Sequence, residues 1–168
     1  KFLNYKLSNS KLLKIVKKLK NKNQKYNCLI GISGGVDSCF LAHYIKKELK
    51  LNPLVVHVDT GWNSLESVNN IEKIIDGLNL DLETIVIPWS EMKDLQLSFF
   101  KAQVPHLDTP QDHVFIAALY NFAAKHGFKY ILNGGNISSE CVREPLEWHY
   151  HASDLIQIKG AEEKSENK

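Results

Sequence analysis

Residues 33–38 read Ser33-Gly34-Gly35-Val36-Asp37-Ser38. They follow an apolar run, Cys28-Leu29-Ile30-Gly31-Ile32, and precede a helical pattern. Strand, glycine turn and helix N-terminus, in that order, make a cradle for phosphate. Glycines let backbone N–H groups approach an anion without Cβ clashes. The first turn of a helix leaves N–H groups without intrahelical partners. The helix dipole adds about half a positive charge there. Two other phosphate loops are excluded. A Walker A loop needs Lys and Ser/Thr after its second glycine, where this chain has Val36 and Asp37. A dinucleotide fingerprint needs G-x-G-x-x-G, which Gly31, Gly34 and Gly35 do not match. A glycine turn without a ligand is the competing reading, and six matched positions between strand and helix weigh against it.

The loop must be positioned by the elements around it. Apolar residues Leu12, Leu13, Ile15, Val16 and Leu19 mark a lysine-rich helix over 9–20, read as packing one stripe on a sheet. Strands are expected at Cys28–Ile32, Leu54–Val58, Glu83–Ile87 and Tyr130–Leu132. Helices are expected at Asp37–Lys50, at 64–78 with Ser64 as N-cap, and from a Ser90 cap to about Phe100 or Ala102. Thr109-Pro110-Gln111-Asp112 reads as N-cap, N1 proline and a first-turn acid. That helix runs to His126, with Gly127 as its C-terminal stop. Alternating strands and helices argue a parallel sheet covered on both faces.

In such sheets ligands lie outside the carboxyl ends of the strands. Those ends carry Ser33–Ser38, His57-Val58-Asp59-Thr60-Gly61-Trp62-Asn63, Pro88-Trp89-Ser90 and Asn133-Gly134-Gly135-Asn136. Polar and glycine-rich ends on apolar strands point to one composite site. Asp59 reads as a ligand to a nucleotide or as a cap of its own turn. Trp62 and Trp89 read as packing or as substrate platforms. Asp112 is accounted for by the helix dipole, with catalysis by Asp112 or His113 the second reading.

Net charge is +2 and the pI 8.4, too mild a balance to require nucleic acid. Cys28, Cys39 and Cys141 are scattered, without a C-x-x-C pair. Reduced thiols and a cytoplasmic location are the expectation. No apolar run reaches the roughly 20 residues of a membrane span, and no signal-peptide pattern is present. The chain opens on Lys1 rather than Met and is read as a trimmed form. Residues 1–159 are expected to form one domain, and the charged stretch 160–168 a frayed or non-contiguous end.

SGGVDS resembles the PP-loop of ATP pyrophosphatases, which split ATP into AMP and pyrophosphate. The resemblance extends further. Gly31–Ser38, Leu54–Ser64, Asp94-Leu95-Gln96, Pro110-Gln111-Asp112-His113, Gly134-Gly135-Asn136 with Glu140, and Ala152-Ser153-Asp154-Leu155 are similar to N-acetyl sugar amidotransferases of bacterial surface-polysaccharide synthesis. The likeness covers about residues 25 to 159. It implies a three-layer α/β/α fold with a mostly parallel sheet, of the adenine-nucleotide alpha-hydrolase-like (HUP, PP-loop ATPase) type. It also implies a longer protein, with paired cysteines at a metal site ahead of this region.

The implied reaction converts the acetamido group of a nucleotide-linked sugar to an acetamidino group, with ATP, Mg²⁺ and ammonia. A HisH-like glutaminase and a HisF-like cyclase would supply the ammonia. Ser33, Gly34, Gly35 and Ser38 would hold pyrophosphate, and Asp37 would help hold Mg²⁺ or else cap its helix. His57 and Val58 would meet adenine, with Asp59 near the nucleotide. Gly134, Gly135 and Asn136 would approach the α-phosphate or the substrate; Trp62, Asn63, Asp112 and His113 complete the candidate set. Two other readings remain: a tRNA thiolase or nucleobase-modifying enzyme with the same loop, and a non-catalytic nucleotide-binding module.

Overall fold

The computed structural model describes residues 5–20, 24–104, 107–135 and 155–166. Among the described residues, four parallel strands form one sheet: β1 (Cys28–Gly31), β2 (Pro53–Asp59), β3 (Asp81–Val86) and β4 (Ile131–Leu132). Their spatial order is β3-β2-β1-β4. Register pairs Ile30 with Val55 on one side and with Leu132 on the other. β1 and β2 are buried almost throughout, which is why they read as unbroken apolar runs. β3 lies at the sheet's edge, and its exposure rises accordingly.

Helices cover both faces. α1 (Tyr5–Lys20), α2 (Val36–His43) and α3 (Leu65–Leu78) pack on one side, where Val16, Leu19, Ala42, Ile45, Ile71 and Leu78 meet Cys28, Ile30 and Val55. α5 (Thr109–Lys125) covers the other, with Val114, Phe115, Leu119 and Ala123 on Leu29, Leu54, Val56 and Val58. The strand order explains this division. The chain steps outward from β1 to β2 to β3, then returns past β1 to β4. With crossovers of one hand, reversing direction moves the connecting helix to the opposite face. The expected three-layer α/β/α architecture with a parallel sheet is the architecture observed.

Several local expectations change. The helix after the glycine turn is not uniform: past His43 it widens into a π-turn over Tyr44–Glu48, closed by Leu49 N–H donating to the Tyr44 carbonyl at 3.0 Å. Ile45 and Leu49 both stay buried through it. Ser90 does not cap α4 (Trp89–Ala102); Pro88 holds the N-cap position, so the helix begins before the serine. Asp108 rather than Thr109 is the N-cap of α5, and Thr109 is buried as its first residue.

The stretch 160–166, expected as a frayed or non-contiguous end, lies within a helix. α6 (Leu155–Glu166) is a helix packed on α4, and Ile158 and Ala161 are buried against Phe99 and Ala102. A helix with so few apolar side chains carries little periodic signal. A ready apolar surface on α4 is what orders it.

Candidate functional site

The order in which the chain adds strands reverses between β1 and β4, so the loops leaving them diverge and open a crevice. A cleft of about 490 Å³ occupies it. Its polar wall is Ser33, Gly35, Asp37 and Ser38 after β1, and Asn133, Gly134 and Gly135 after β4. His57, Val58 and Asn63 contribute from the end of β2. Its apolar wall is Phe115, Ile116, Leu119 and Tyr120 of α5.

The glycine turn is held by its own hydroxyls. Ser38 Oγ donates to the Gly35 carbonyl at 3.0 Å and accepts from Ser33 N–H at 3.2 Å. Because that proton is directed at Gly35, Ser33 Oγ is the donor in the 3.2 Å contact between the two hydroxyls. Gly35 is the N-cap of α2 and has no side chain to bond the first turn. Val36, Asp37 and Ser38 of that first turn line the cleft, and a helix's first turn leaves N–H groups without intrahelical partners, as an anion cradle requires.

α3 fixes the turn from behind. Gly34 has φ +78°, and a Cβ there would collide with the Ser67 backbone. Asn70 Nδ2 donates to the Gly34 carbonyl at 3.1 Å. Sequence reasoning missed Ser67 and Asn70. The available signal was an amide one position before the inward-facing Ile71. Gly134 closes the opposite wall, where a Cβ would sit 3.0 Å from the Asp37 carbonyl oxygen. A side chain there would require the Asp37 backbone, in the first turn of α2, to give by a few tenths of an ångström.

At the end of β2, His57 is 8% exposed and its Nδ1 lies 2.9 Å from the Ile32 carbonyl oxygen. Asn63 Nδ2 donates to Asp59 Oδ1 at 2.8 Å and contacts His57 Nε2 at 3.1 Å. Gly61 N–H donates to the same Asp59 oxygen at 2.9 Å. Asp59 therefore caps its own turn and does not line the cleft; Asn63 does.

The remaining candidates are spread out. Trp62 and Trp89 form an edge-to-face pair, centroids 5.3 Å apart, outside the cleft. Asp112 sits in the first turn of α5 and His113 just after it, before the residues that line the cleft. Asn136 and Cys141 lie outside the described residues. Neither described cysteine suits nucleophilic work. Burial pushes the Cys28 thiol up to about 12, and desolvation also raises Cys39, partly offset by a hydrogen bond with Ser38.

Among the described residues, no cluster of three or more His, Cys, Asp or Glu side chains could hold a metal ion. The exposed Asp37 carboxylate beside the cradle fits a cation held mainly by phosphates and water, which is how Mg²⁺ is commonly bound. Among the described residues, no helix is long and apolar enough to cross a membrane.

Known proteins resemble this chain in sequence or in fold. An uncharacterized protein of Methanocaldococcus jannaschii is 24% identical over 149 residues, covering 86% of this chain and 51% of that protein. The chain thus spans about half the length of the curated relative it matches. An NH3-dependent NAD synthetase from Campylobacter jejuni, solved with the nitrate ion, superposes with a TM-score of 0.54 at 21% identity. That match covers 81% of this chain and 58% of the synthetase. An NMN synthetase from Francisella tularensis gives a TM-score of 0.55 at 18% identity, covering 81% and 56%. The NAD synthase family model matches residues 8–142, a span that contains the glycine cradle, its α3 clamp and the facing Gly134-Gly135 turn. On that match, this chain belongs to the NAD synthase family, within the PP-loop ATP pyrophosphatases.

Proposed function

We propose that this domain binds ATP, divides it into AMP and pyrophosphate, and uses AMP to activate an acyl oxygen for attack by ammonia. The observation that carries the reading is the Ser33–Ser38 turn at the switch point, its helix N-terminus facing the cleft opposite Gly134-Gly135. An amide or carboxylate oxygen is a poor leaving group. It attacks the α-phosphorus, and pyrophosphate departs into the cradle, where backbone donors and Ser33 meet its charge. Ammonia adds to the activated carbon, a proton is lost, and AMP leaves with the oxygen. Asp37 would help hold Mg²⁺, which would supply neutralisation of the phosphate charge. The polar end of β2, at His57, Val58 and Asn63, is assigned to the nucleoside. The nitrogen source is supported by the description of the Campylobacter synthetase as NH3-dependent.

The finer assignment is the acetamido group of a nucleotide-linked sugar, converted to an acetamidino group in surface-polysaccharide synthesis. Its support is the resemblance of the strand-end segments to N-acetyl sugar amidotransferases. A separate glutaminase, acting through a cyclase-like partner, would deliver the ammonia. The family match favours a second acceptor class, a carboxylate that becomes a carboxamide.

One experiment tests both. Full-length protein is given ATP, ammonium and a UDP-N-acetyl sugar labelled with ¹⁸O in its acetamide. A parallel reaction uses a nicotinate dinucleotide labelled in its carboxylate. Label recovered in AMP supports the route and names the acceptor class. Pyrophosphate release without label in AMP overturns it.

A further inference from the structure

Asn70 acts on the glycine turn through one peptide group. Its Nδ2 donates to the Gly34 carbonyl at 3.1 Å. It is half-buried on α3, three residues after Ser67, so the two share a helix face. The Ser67 backbone lies against Gly34 so closely that a Cβ there would collide with the Ser67 carbonyl. Ser64 fixes that turn of α3, its Oγ accepting from Ser67 N–H at 3.1 Å. The Gly34–Gly35 peptide is trans, so holding its carbonyl toward Asn70 sends its N–H the opposite way. That N–H reaches Ser33 Oγ at 3.5 Å, and Ser33 and Gly35 both line the cleft. A bond so long is weak. A phosphate oxygen, charged and able to approach to about 2.8 Å, is the better acceptor.

We propose that Asn70 is a positioning residue for pyrophosphate: its amide holds the Gly34–Gly35 peptide in the orientation that offers Gly35 N–H to the anion. This rests on the reading above, in which pyrophosphate departs into the cradle. The peptide needs an outside hold. The two torsions that would rotate it, ψ of Gly34 and φ of Gly35, both belong to glycines, which lack the Cβ that restrains such rotation elsewhere. Turned over, the peptide would present the Gly34 carbonyl oxygen to the phosphate and repel it. The peptide before it is held in a similar way. His57 Nδ1 lies 2.9 Å from the Ile32 carbonyl oxygen, and Ser33 N–H is directed at Ser38 Oγ. The carbonyls of Ile32 and Gly34 are thus bonded from β2 and from α3, on either side of the loop that joins them.

The test is binding rather than turnover, so its failure is distinct from failure of the amidation chemistry. Affinities of inorganic pyrophosphate and AMP are measured by calorimetry on the full-length protein, with Tm recorded for each variant. Asn70→Leu, uncharged and of similar size, should weaken pyrophosphate about ten-fold, with AMP held within about two-fold. Asn70→Gln, which keeps an amide donor, should recover most of the loss. In wild type the Gly35 amide proton should move downfield as pyrophosphate is added, and in Asn70→Leu that shift should shrink. Unchanged pyrophosphate affinity in folded Asn70→Leu overturns the role of Asn70 and leaves the cradle standing. Equal loss of pyrophosphate and AMP with a lowered Tm also overturns it, since a merely structural residue behaves that way. So does a Gly35 amide unmoved by saturating pyrophosphate in wild type, whether or not a variant folds. Wild type that binds no pyrophosphate refutes the cradle itself, and this assignment with it.

Discussion

His57 Nδ1 and the Ile32 carbonyl oxygen lie 2.9 Å apart, joining the end of β2 to the residue just before the glycine turn. A carbonyl only accepts, so Nδ1 carries the proton. The Asn63 amide, oriented by its bond to Asp59, then donates to Nε2. The ring is thus fixed as the Nδ1–H tautomer and couples both loops. His57→Phe should leave the Ile32 carbonyl without its partner and cost about 1–3 kcal/mol. Urea unfolding measures the loss. Nitrogen NMR on wild type should place the proton on Nδ1; a proton on Nε2 alone would contradict the network.

Gly34→Ala should damage both stability and nucleotide binding. The residue sits at φ +78°, and its Cβ would enter the Ser67 backbone. Strain alone costs about 1–3 kcal/mol, and contact with α3 adds to it. Calorimetric unfolding should show a lowered Tm. An ATP titration at a temperature where the variant is folded should show weakened binding.

Ser38→Ala separates organisation of the turn from the fold. The hydroxyl holds Ser33 N–H and the Gly35 carbonyl at one point and belongs to no core cluster. ATP affinity should fall about ten-fold, the worth of one well-placed hydrogen bond. Unfolding in urea should move little. A large stability loss with intact ATP binding would refute this assignment.

Cys28 gives the fold an alkaline limit. Burial raises its thiol pKa to about 12 in the folded chain, above the ordinary value near 9. Between those values the unfolded chain has released a proton that the folded chain retains. Stability from this group is therefore complete below about pH 9 and falls as pH rises toward 12. Urea unfolding from pH 8 to 11 should show a decline that Cys28→Val flattens. Iodoacetamide should label Cys28 in the folded protein only as fast as the protein unfolds.

Ile158→Ala should loosen one corner and spare the rest. Its side chain packs with Phe99, Ala102 and Ala161, apart from the sheet's two cores. The local cost should be about 2–5 kcal/mol. Hydrogen exchange should accelerate in α4 and α6 while β1 and β2 keep their protection. Equal acceleration throughout would mean that the α4–α6 pair unfolds with the core.

Much of the frame was legible in short-range chemistry. Ser64 was recognisable as a cap, and its Oγ accepts from Ser67 N–H at 3.1 Å. Gly127 was recognisable as a helix stop, and it adopts φ +72°. Ser90 misled because Pro88 two residues earlier serves as the N-cap. α6 was illegible because its order comes from Phe99 and Ala102, some sixty residues away in sequence.

Within the site the same division holds. The sequence by itself determined the glycine cradle, because backbone reach, helix polarity and hydroxyl bonds all act within Ser33–Ser38. It also determined that a parallel sheet would carry it. Only the tertiary structure decided what surrounds it: Asn70 and Ser67 behind Gly34, Gly134 against Asp37, and Phe115 and Leu119 across the cleft. Those contacts join residues far apart in the chain, and their geometry follows from strand order. Asp59 shows the difference most plainly. Its type fitted a ligand or a cap, and only the fold shows that Gly61 N–H and Asn63 Nδ2 both donate to its Oδ1.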